Sequence, residues 1–145
     1  MIGNSVEIPC IFVCLNNTKE PLLREILAGI EEEGIPYKLK NIEFSDETMQ
    51  RCIHSEAQNS KIGIAIGIMN SRIILQYSKL KEENPLINLK LNLYEKEKAR
   101  IVGCNAARLY KIMPFKDIEL VDVDVIEKVR ASVISALDKL NIKIS

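Results

Sequence analysis

The spacing of apolar residues along this chain switches between two periods, which predicts strands and helices in alternation. Short apolar or strictly alternating runs indicate strands, and these occupy residues 8–15, 37–42, 62–67, 72–77 and 87–93. Apolar positions that recur every three or four residues indicate helices, and these cover residues 19–33, 49–57, 94–113 and 126–140. The order of elements predicts a Rossmann-like three-layer α/β domain with a mostly parallel sheet. We assign residues 1–118 to this domain and residues 119–145 to a C-terminal helical extension of it.

The first predicted helix has an acidic end. Its apolar stripe consists of Leu22, Leu23, Ile26, Leu27 and Ile30. Gly34 suits the left-handed residue that ends a helix, and Pro36 prevents the helix from continuing. Glu31, Glu32 and Glu33 therefore lie in the last turn, where the helix dipole is negative and each exposed carboxylate costs about 0.3–1 kcal/mol. A cation or a basic partner surface outside the helix is expected to offset this cost.

The acidic turn has two interpretations. Neighbouring side chains on a helix point about 100° apart, so the three glutamates cannot all bind one ion. A single carboxylate that completes a Mg²⁺ or Ca²⁺ site on another chain is the functional interpretation, because such ions prefer oxygen ligands. A solvated acidic helix end is the alternative.

A second motif lies on the long helix predicted for residues 94–113. Its small residues Gly103, Ala106 and Ala107 allow another element to approach closely. Asn105 and Arg108 are three residues apart and share a face, so they can offer an amide and a guanidinium to one partner. The alternative is an alanine stripe that faces the core, with Arg108 in solvent. The predicted buried stripe of this helix is Val102, Ala106, Leu109 and Met113.

The composition argues against most catalytic and nucleic-acid functions. The chain has 145 residues, 20 basic and 20 acidic side chains, and 5% aromatic residues, so no basic or base-stacking surface is indicated. One histidine, His54, and the absence of a nucleophile motif predict no catalytic residues. The four cysteines lack zinc-site spacing and are expected to be reduced and mostly buried. No signal peptide or membrane span is indicated, which predicts a cytoplasmic protein.

For two segments, the sequence does not decide whether they pack within the chain or against another chain. Residues 87–93 alternate strictly, which fits a half-solvated strand or a sheet edge that meets another chain. The extension carries an apolar stripe that can pack on the sheet or support a homo-oligomer. This stripe consists of Ile126, Val129, Val133, Leu137 and Leu140.

Two separated motifs resemble one known family. Residues 29–36 read Gly-Ile-Glu-Glu-Glu-Gly-Ile-Pro, and residues 105–115 read Asn-Ala-Ala-Arg-Leu-Tyr-Lys-Ile-Met-Pro-Phe. Both look like the small (β) subunit of diol and glycerol dehydratase-reactivating factors, in the dehydratase medium-subunit family. Residues 63–65 and 77–80 also match that family's pattern. The resemblance implies a fold similar to the dehydratase β subunit.

The resemblance also implies a function. Such a small subunit is not an enzyme; it pairs with a large Hsp70-like subunit that carries the ATPase activity. The complex releases damaged cobalamin from adenosylcobalamin-dependent dehydratase by subunit exchange, in the cytoplasm or in a bacterial microcompartment. The resemblance implies no tightly bound cobalamin. It leaves two alternatives: a short medium subunit of a cobalamin-dependent dehydratase and a stand-alone homo-oligomeric interaction module.

The family pattern assigns site residues by position. It places a ligand of a Mg²⁺ ion, shared with the large subunit, at Glu32, and it implies partner contacts at Glu31, Glu33, Asn105 and Arg108. The chain departs from the pattern in the residue before Asn105, where Cys104 replaces an asparagine often found there. The resemblance does not extend over residues 117–145, and it does not distinguish a glycerol from a propanediol dehydratase as client.

Overall fold

A computed structural model of the protein describes residues 8–18 and 20–118. Its elements are β1 (Ile11–Thr18), α1 (Glu20–Glu32), β2 (Tyr37–Asn41), α2 (Met49–Asn59), β3 (Ile64–Asn70), β4 (Arg72–Tyr77), β5 (Ile87–Lys90) and α3 (Lys96–Lys111). Each strand and helix predicted before residue 118 is present. The predicted C-terminal helix, with its stripe and its proposed role in association, lies outside the described residues.

The five strands form one sheet in the order β2-β1-β3-β4-β5. β1 pairs in parallel with both β2 and β3, whereas β4 runs antiparallel to β3 and β5. Four of the five strands therefore share one direction. The α/β class is confirmed, and the sheet is mixed, with two parallel and two antiparallel pairings of strands. Asn70 has a φ of 55° in the turn from β3 to β4, a conformation that asparagine tolerates better than most residues.

The helices cover both faces of the sheet, which explains why β1 is apolar on both sides. Ile11 and Val13 point into the core shared with α1 and α3. Phe12 and Cys14 point into the smaller core beneath α2. Because successive side chains of a strand face opposite sides, a strand buried on both faces reads as a continuous apolar run. Among the described residues, no helix combines the length and apolar character that a membrane span requires.

α1 ends where the sequence predicts. Gly34 has a φ of 77°, and its N–H donates to the Glu31 carbonyl at 3.0 Å, while the Ile35 N–H returns to the Ile30 carbonyl at 3.4 Å. These two bonds form the left-handed helix end that glycine favours. The predicted stripe is also confirmed, because Leu22, Ile26 and Ile30 are buried.

α1 and α3 lie side by side and cross at two glycines. A Cβ atom built on Gly29 would lie 2.1 Å from the Arg100 carbonyl oxygen, and one on Gly103 would lie 2.0 Å from the Ile26 carbonyl oxygen. The close approach predicted at Gly103 is therefore made by α1. The two helices run in the same direction, because residues near each helix's C-terminal end pair with one another.

The C-terminal end of α3 differs from the prediction. The helix ends at Lys111, and Ile112 adopts a left-handed conformation with a φ of 55°. The Met113 N–H then bonds to the Arg108 carbonyl at 2.9 Å, which turns the chain back. Met113 therefore cannot extend the buried stripe, and its assignment to that stripe is wrong: its side chain is exposed.

The cysteines and the histidine have structural environments. The four cysteines are free, and only Cys52 is incompletely buried, as expected. Burial raises the pKa of the Cys14 thiol to about 12. The His54 Nε2 atom lies 2.7 Å from the Leu80 carbonyl oxygen, so this ring anchors the loop after β4.

Candidate partner-binding site

The acidic turn of α1 faces a row of basic side chains on α3. Arg100 contacts Glu32, while Arg108 and Lys111 contact Glu33. The expected compensation for the misplaced carboxylates is thus present within the chain itself. The sequence motif and the long helix are separated by about 70 residues, so their pairing becomes visible only in the fold.

Glu33 is the most strongly held of the three glutamates. Its carboxylate accepts hydrogen bonds from Lys111 Nζ at 2.8 Å and from Arg108 Nε at 2.9 Å. Lys111 Nζ also donates to the backbone carbonyl of Glu33 at 2.9 Å, which places a cation at the negative end of α1. The Glu33 side chain is 9% exposed, and the bonds from Lys111 and Arg108 lower the pKa of its carboxyl group.

Glu32 is held more loosely and is open to solvent. One carboxylate oxygen accepts a hydrogen bond from Arg100 at 3.1 Å, and the other lies 3.6 Å from the Cys104 sulfur. Burial raises the pKa of the Cys104 thiol, and Glu32 contributes to that shift, so the thiol stays protonated and can donate. The Glu32 side chain is 43% exposed. Glu32 therefore offers oxygen atoms to a group that approaches from outside.

Glu31 points toward the start of β2 instead. Its carboxylate accepts a hydrogen bond from the Tyr37 hydroxyl at 3.0 Å. This bond raises the pKa of Tyr37. The three glutamates thus have three different partners, in agreement with their divergent directions on the helix. Their predicted contacts with another subunit stay predictions.

Glu32 fits a shared Mg²⁺ site as a single ligand. Within the part of the chain that the structure describes, no group of three or more histidine, cysteine, aspartate or glutamate side chains could hold a metal ion. Mg²⁺ commonly takes one or two protein carboxylates and retains several waters. An exposed carboxylate such as Glu32 can supply one oxygen to a site completed by another molecule. A self-contained metal centre is not formed by the described residues.

Asn105 and Arg108 both hold the segment that follows α3. Asn105 is 6% exposed; its amide donates to the Lys116 carbonyl at 3.0 Å and accepts from the Lys116 N–H at 2.7 Å. Arg108 donates to the Pro114 carbonyl at 3.0 Å as well as to Glu33. Both side chains therefore serve contacts inside the chain, and their role in partner binding stays a prediction. The buried alanines confirm the core-facing stripe, but Arg108 is paired rather than free in solvent.

An exposed apolar patch was missed by the sequence prediction. It comprises Tyr110, Ile112, Met113 and Phe115, hereafter the 110–115 patch. Ile112 is 91% exposed and is held in a left-handed conformation that β-branched residues rarely adopt. The sequence did contain a signal for this patch, because the apolar residues 110, 112 and 115 lie outside the predicted buried stripe of the helix. Clustered exposed apolar residues usually mark an interaction surface.

The patch, the acidic turn and the cations Arg108 and Lys111 share one end of the helix pair. Lys111 lies directly beside Ile112 in the chain and binds Glu33. A groove of about 350 Å³ adjoins the patch, lined in part by Ile62, Tyr77 and Leu109. The surface at this end thus combines apolar contact area with an accessible carboxylate. This combination is typical of a protein-binding surface with one polar anchor.

Comparison with known proteins connects this chain to a family. The profile of the dehydratase medium subunit family matches residues 8–116. The chain is 33% identical over 113 residues to the diol dehydratase-reactivating factor small subunit of Klebsiella michiganensis, covering 76% of this chain and 86% of that protein. It is 32% identical over 110 residues to the propanediol dehydratase-reactivating factor small subunit of Salmonella typhimurium, covering 76% of this chain and 92% of that protein.

Solved structures agree in fold. A chain of diol dehydratase-reactivating factor, in a complex with ADP and Mg²⁺, superposes with a TM-score of 0.68 at 30% identity, covering 77% of this chain and 100% of that one. A chain of glycerol dehydratase reactivase superposes with a TM-score of 0.66 at 19% identity, over 77% of this chain and 99% of that one, which shows the shared fold alone. With sequence and fold in agreement, this chain belongs to the dehydratase medium-subunit family.

Proposed function

We propose that this chain is the small subunit of a reactivating factor for an adenosylcobalamin-dependent diol or glycerol dehydratase. The observation that carries the proposal is the likeness to the small subunits of diol and propanediol dehydratase-reactivating factors, which extends over 86–92% of their lengths. The fold supports it, because the described domain superposes on a complete chain of such a factor. In this function the chain binds other proteins and does not itself catalyse a reaction.

The large partner subunit is an Hsp70-like ATPase, and the site described above is the surface that binds it. Glu32 supplies one oxygen ligand to a Mg²⁺ ion shared between the subunits, and the 110–115 patch supplies apolar contact area. When bound, the Mg²⁺ supplies positive charge that joins acidic groups of the two chains. The presence of Mg²⁺ and ADP in the related factor supports this assignment.

The chain acts by subunit exchange in the cytoplasm. It covers the large subunit until that subunit engages the dehydratase, and its departure allows damaged cobalamin to leave the client. A surface that combines a loosely held carboxylate with a limited apolar patch suits reversible binding, because obligate interfaces are generally larger and more apolar.

Assembly with the cognate large subunit tests the proposal. We expect the two purified proteins to form a complex in the presence of ADP and Mg²⁺ and to restore activity to a dehydratase that holds damaged cobalamin when ATP and fresh coenzyme are added. Glu32→Gln should weaken the Mg²⁺-dependent complex about tenfold or more, since a charged ligand is lost. Glu47→Gln is the matched control, because Glu47 is exposed in the turn before α2 on the other face of the sheet.

A failure to assemble under any nucleotide condition would overturn the main proposal. The alternative of a short dehydratase medium subunit predicts that the chain joins a dehydratase complex that retains cobalamin, which absorption spectra of the purified complex would detect. The alternative of a stand-alone module predicts a homo-oligomer that ignores both partners, which light scattering would show.

A further inference from the structure

Arg100 binds the carboxylate of Glu32, which the proposed function assigns to the shared Mg²⁺ ion. Its guanidinium donates to Glu32 at 3.1 Å and also binds Glu25. We propose that Arg100 is a positioning residue that neutralises Glu32 in the free subunit and withdraws to Glu25 when the subunits assemble. This inference rests on the proposed function. It adds that a cation of the chain itself, Arg100, is replaced at Glu32 by the Mg²⁺ ion on assembly.

The geometry favours Glu25 as the permanent partner of Arg100. Two nitrogens of the guanidinium, Nε and one terminal nitrogen, contact the Glu25 carboxylate at 2.9 and 2.8 Å. A single terminal nitrogen contacts Glu32 at 3.1 Å. The Glu25 side chain is also the less exposed of the two carboxylates. Loss of the Glu32 bond therefore leaves Arg100 anchored by its stronger contacts, with little change elsewhere in α3.

The electrostatics make Arg100 and the Mg²⁺ ion competitors. Two cations on one small carboxylate repel each other at short range, and the repulsion is larger where solvent is partly excluded. Binding of Mg²⁺ at Glu32 is therefore weaker while Arg100 keeps its bond to that carboxylate. The Mg²⁺ concentration needed for assembly is then set by how readily Arg100 withdraws, and Glu25 tunes that step by holding the displaced guanidinium.

Two variants should move the Mg²⁺ requirement in opposite directions. Arg100→Met keeps the aliphatic stem and removes the competing charge, so the Mg²⁺ concentration at half-maximal assembly should fall about two- to fivefold. Glu25→Gln removes the alternative partner and leaves Arg100 to Glu32 alone, so that concentration should rise by a similar factor. Arg24→Met is the matched control, because Arg24 pairs only with the exposed Glu20 among the described contacts.

The measurement is subunit binding to an immobilised large subunit with ADP, titrated with MgCl₂, after thermal melting confirms that each variant is folded. A merely structural role for Arg100 would weaken binding at every Mg²⁺ concentration without moving the midpoint. Unchanged midpoints for both Arg100→Met and Glu25→Gln, or shifts in the same direction, would overturn the inference. The proposed role of Glu32 fails separately, if Glu32→Gln keeps the Mg²⁺ dependence of the native chain.

Discussion

The three glutamates at the end of α1 differ in the group that each carboxylate contacts. Glu33 has two cations and is nearly buried, Glu32 has one and is open, and Glu31 has a tyrosine hydroxyl. The same residue type therefore serves stability at Glu33 and is available for binding at Glu32. The difference arises from the spacing of Arg100, Arg108 and Lys111 along α3.

Glu33 should make stability depend on acidity. Its pKa lies below the ordinary glutamate value of 4.5, so its ionised form stabilises the fold above that pH, and the gain is lost as the pH falls through the lowered pKa. At pH 7, Glu33→Gln should cost about 1–2 kcal/mol. The difference between the native chain and the variant should shrink as the pH falls below the ordinary glutamate pKa of 4.5.

Urea unfolding at several pH values measures this effect. Glu83→Gln is the control, because Glu83 is exposed in the loop before β5 and should change the free energy of unfolding by less than about 0.5 kcal/mol. A constant difference between Glu33→Gln and the native chain from neutral to acid pH would contradict the assignment.

α1 and α3 form a unit in which the charge pairs depend on close backbone contact. Gly29 and Gly103 let the two helices approach until each glycine faces a carbonyl of the other helix. That approach brings the short row of cations on α3 into hydrogen-bonding distance of the carboxylates on α1. Without this close approach, the charged groups would be farther apart and more exposed to solvent, so the ion pairs would contribute little to the free energy of unfolding.

Gly103→Ala should separate the helices. The added methyl group would meet the Ile26 carbonyl at 2.0 Å, so backbone has to move. We expect a loss of about 1–3 kcal/mol or more in the free energy of unfolding. The same variant should weaken the Glu33 pairs, which would appear as a smaller pH dependence of stability.

Gly34→Ala is the comparison for this change. A Cβ atom at Gly34 meets nothing within 4 Å, so its cost comes from the left-handed backbone alone, about 1–2 kcal/mol. It should leave the pH dependence intact. If Gly103→Ala proved no more harmful than Gly34→Ala in both respects, the close crossing would not be required.

In the proposed complex, the domain presents one end of the α1–α3 pair to the large subunit. The 110–115 patch is the apolar part of that end, and Ile112 lies at its most exposed point. Ile112 is also held in a conformation that favours glycine. An exposed apolar side chain on a strained backbone adds little to the stability of the isolated domain, which is consistent with a role in binding.

Ile112→Gly should therefore stabilise the fold and weaken binding to the large subunit. Relief of the left-handed strain should raise the free energy of unfolding by about 1 kcal/mol. Loss of the side chain should weaken binding to the large subunit about tenfold, as for an apolar residue buried at an interface. Tyr94→Gly is the control, since Tyr94 is 93% exposed before the opposite end of α3. Equal binding by the Ile112→Gly and native chains would contradict the proposed surface.

Local signals in the sequence predicted most of the fold. The stripe of α1 and the stop at Gly34 depend on neighbouring residues, so they could be derived from spacing alone. The partners of the glutamates could not be derived, because Arg100 and Arg108 lie about 70 residues away and their register depends on the glycine crossing. The end of α3 was missed because isoleucine is a poor candidate for a left-handed residue. The bond from Asn105 to Lys116 could not be derived either, because it depends on the chain turning back after α3.

The charge pairs between α1 and α3 also affect the order of events during synthesis. They join residues that are 68 to 78 positions apart, so α1 and the first three strands leave the ribosome well before α3. Until α3 arrives, the nascent chain has an uncovered apolar helix face and a turn of unbalanced carboxylates. Long-range contacts of this kind slow folding and lengthen the time in which apolar surface is exposed. A chain interrupted before residue 96 would lack all of α3, which covers α1 and carries its cations, and is expected to be a substrate for chaperones or proteases.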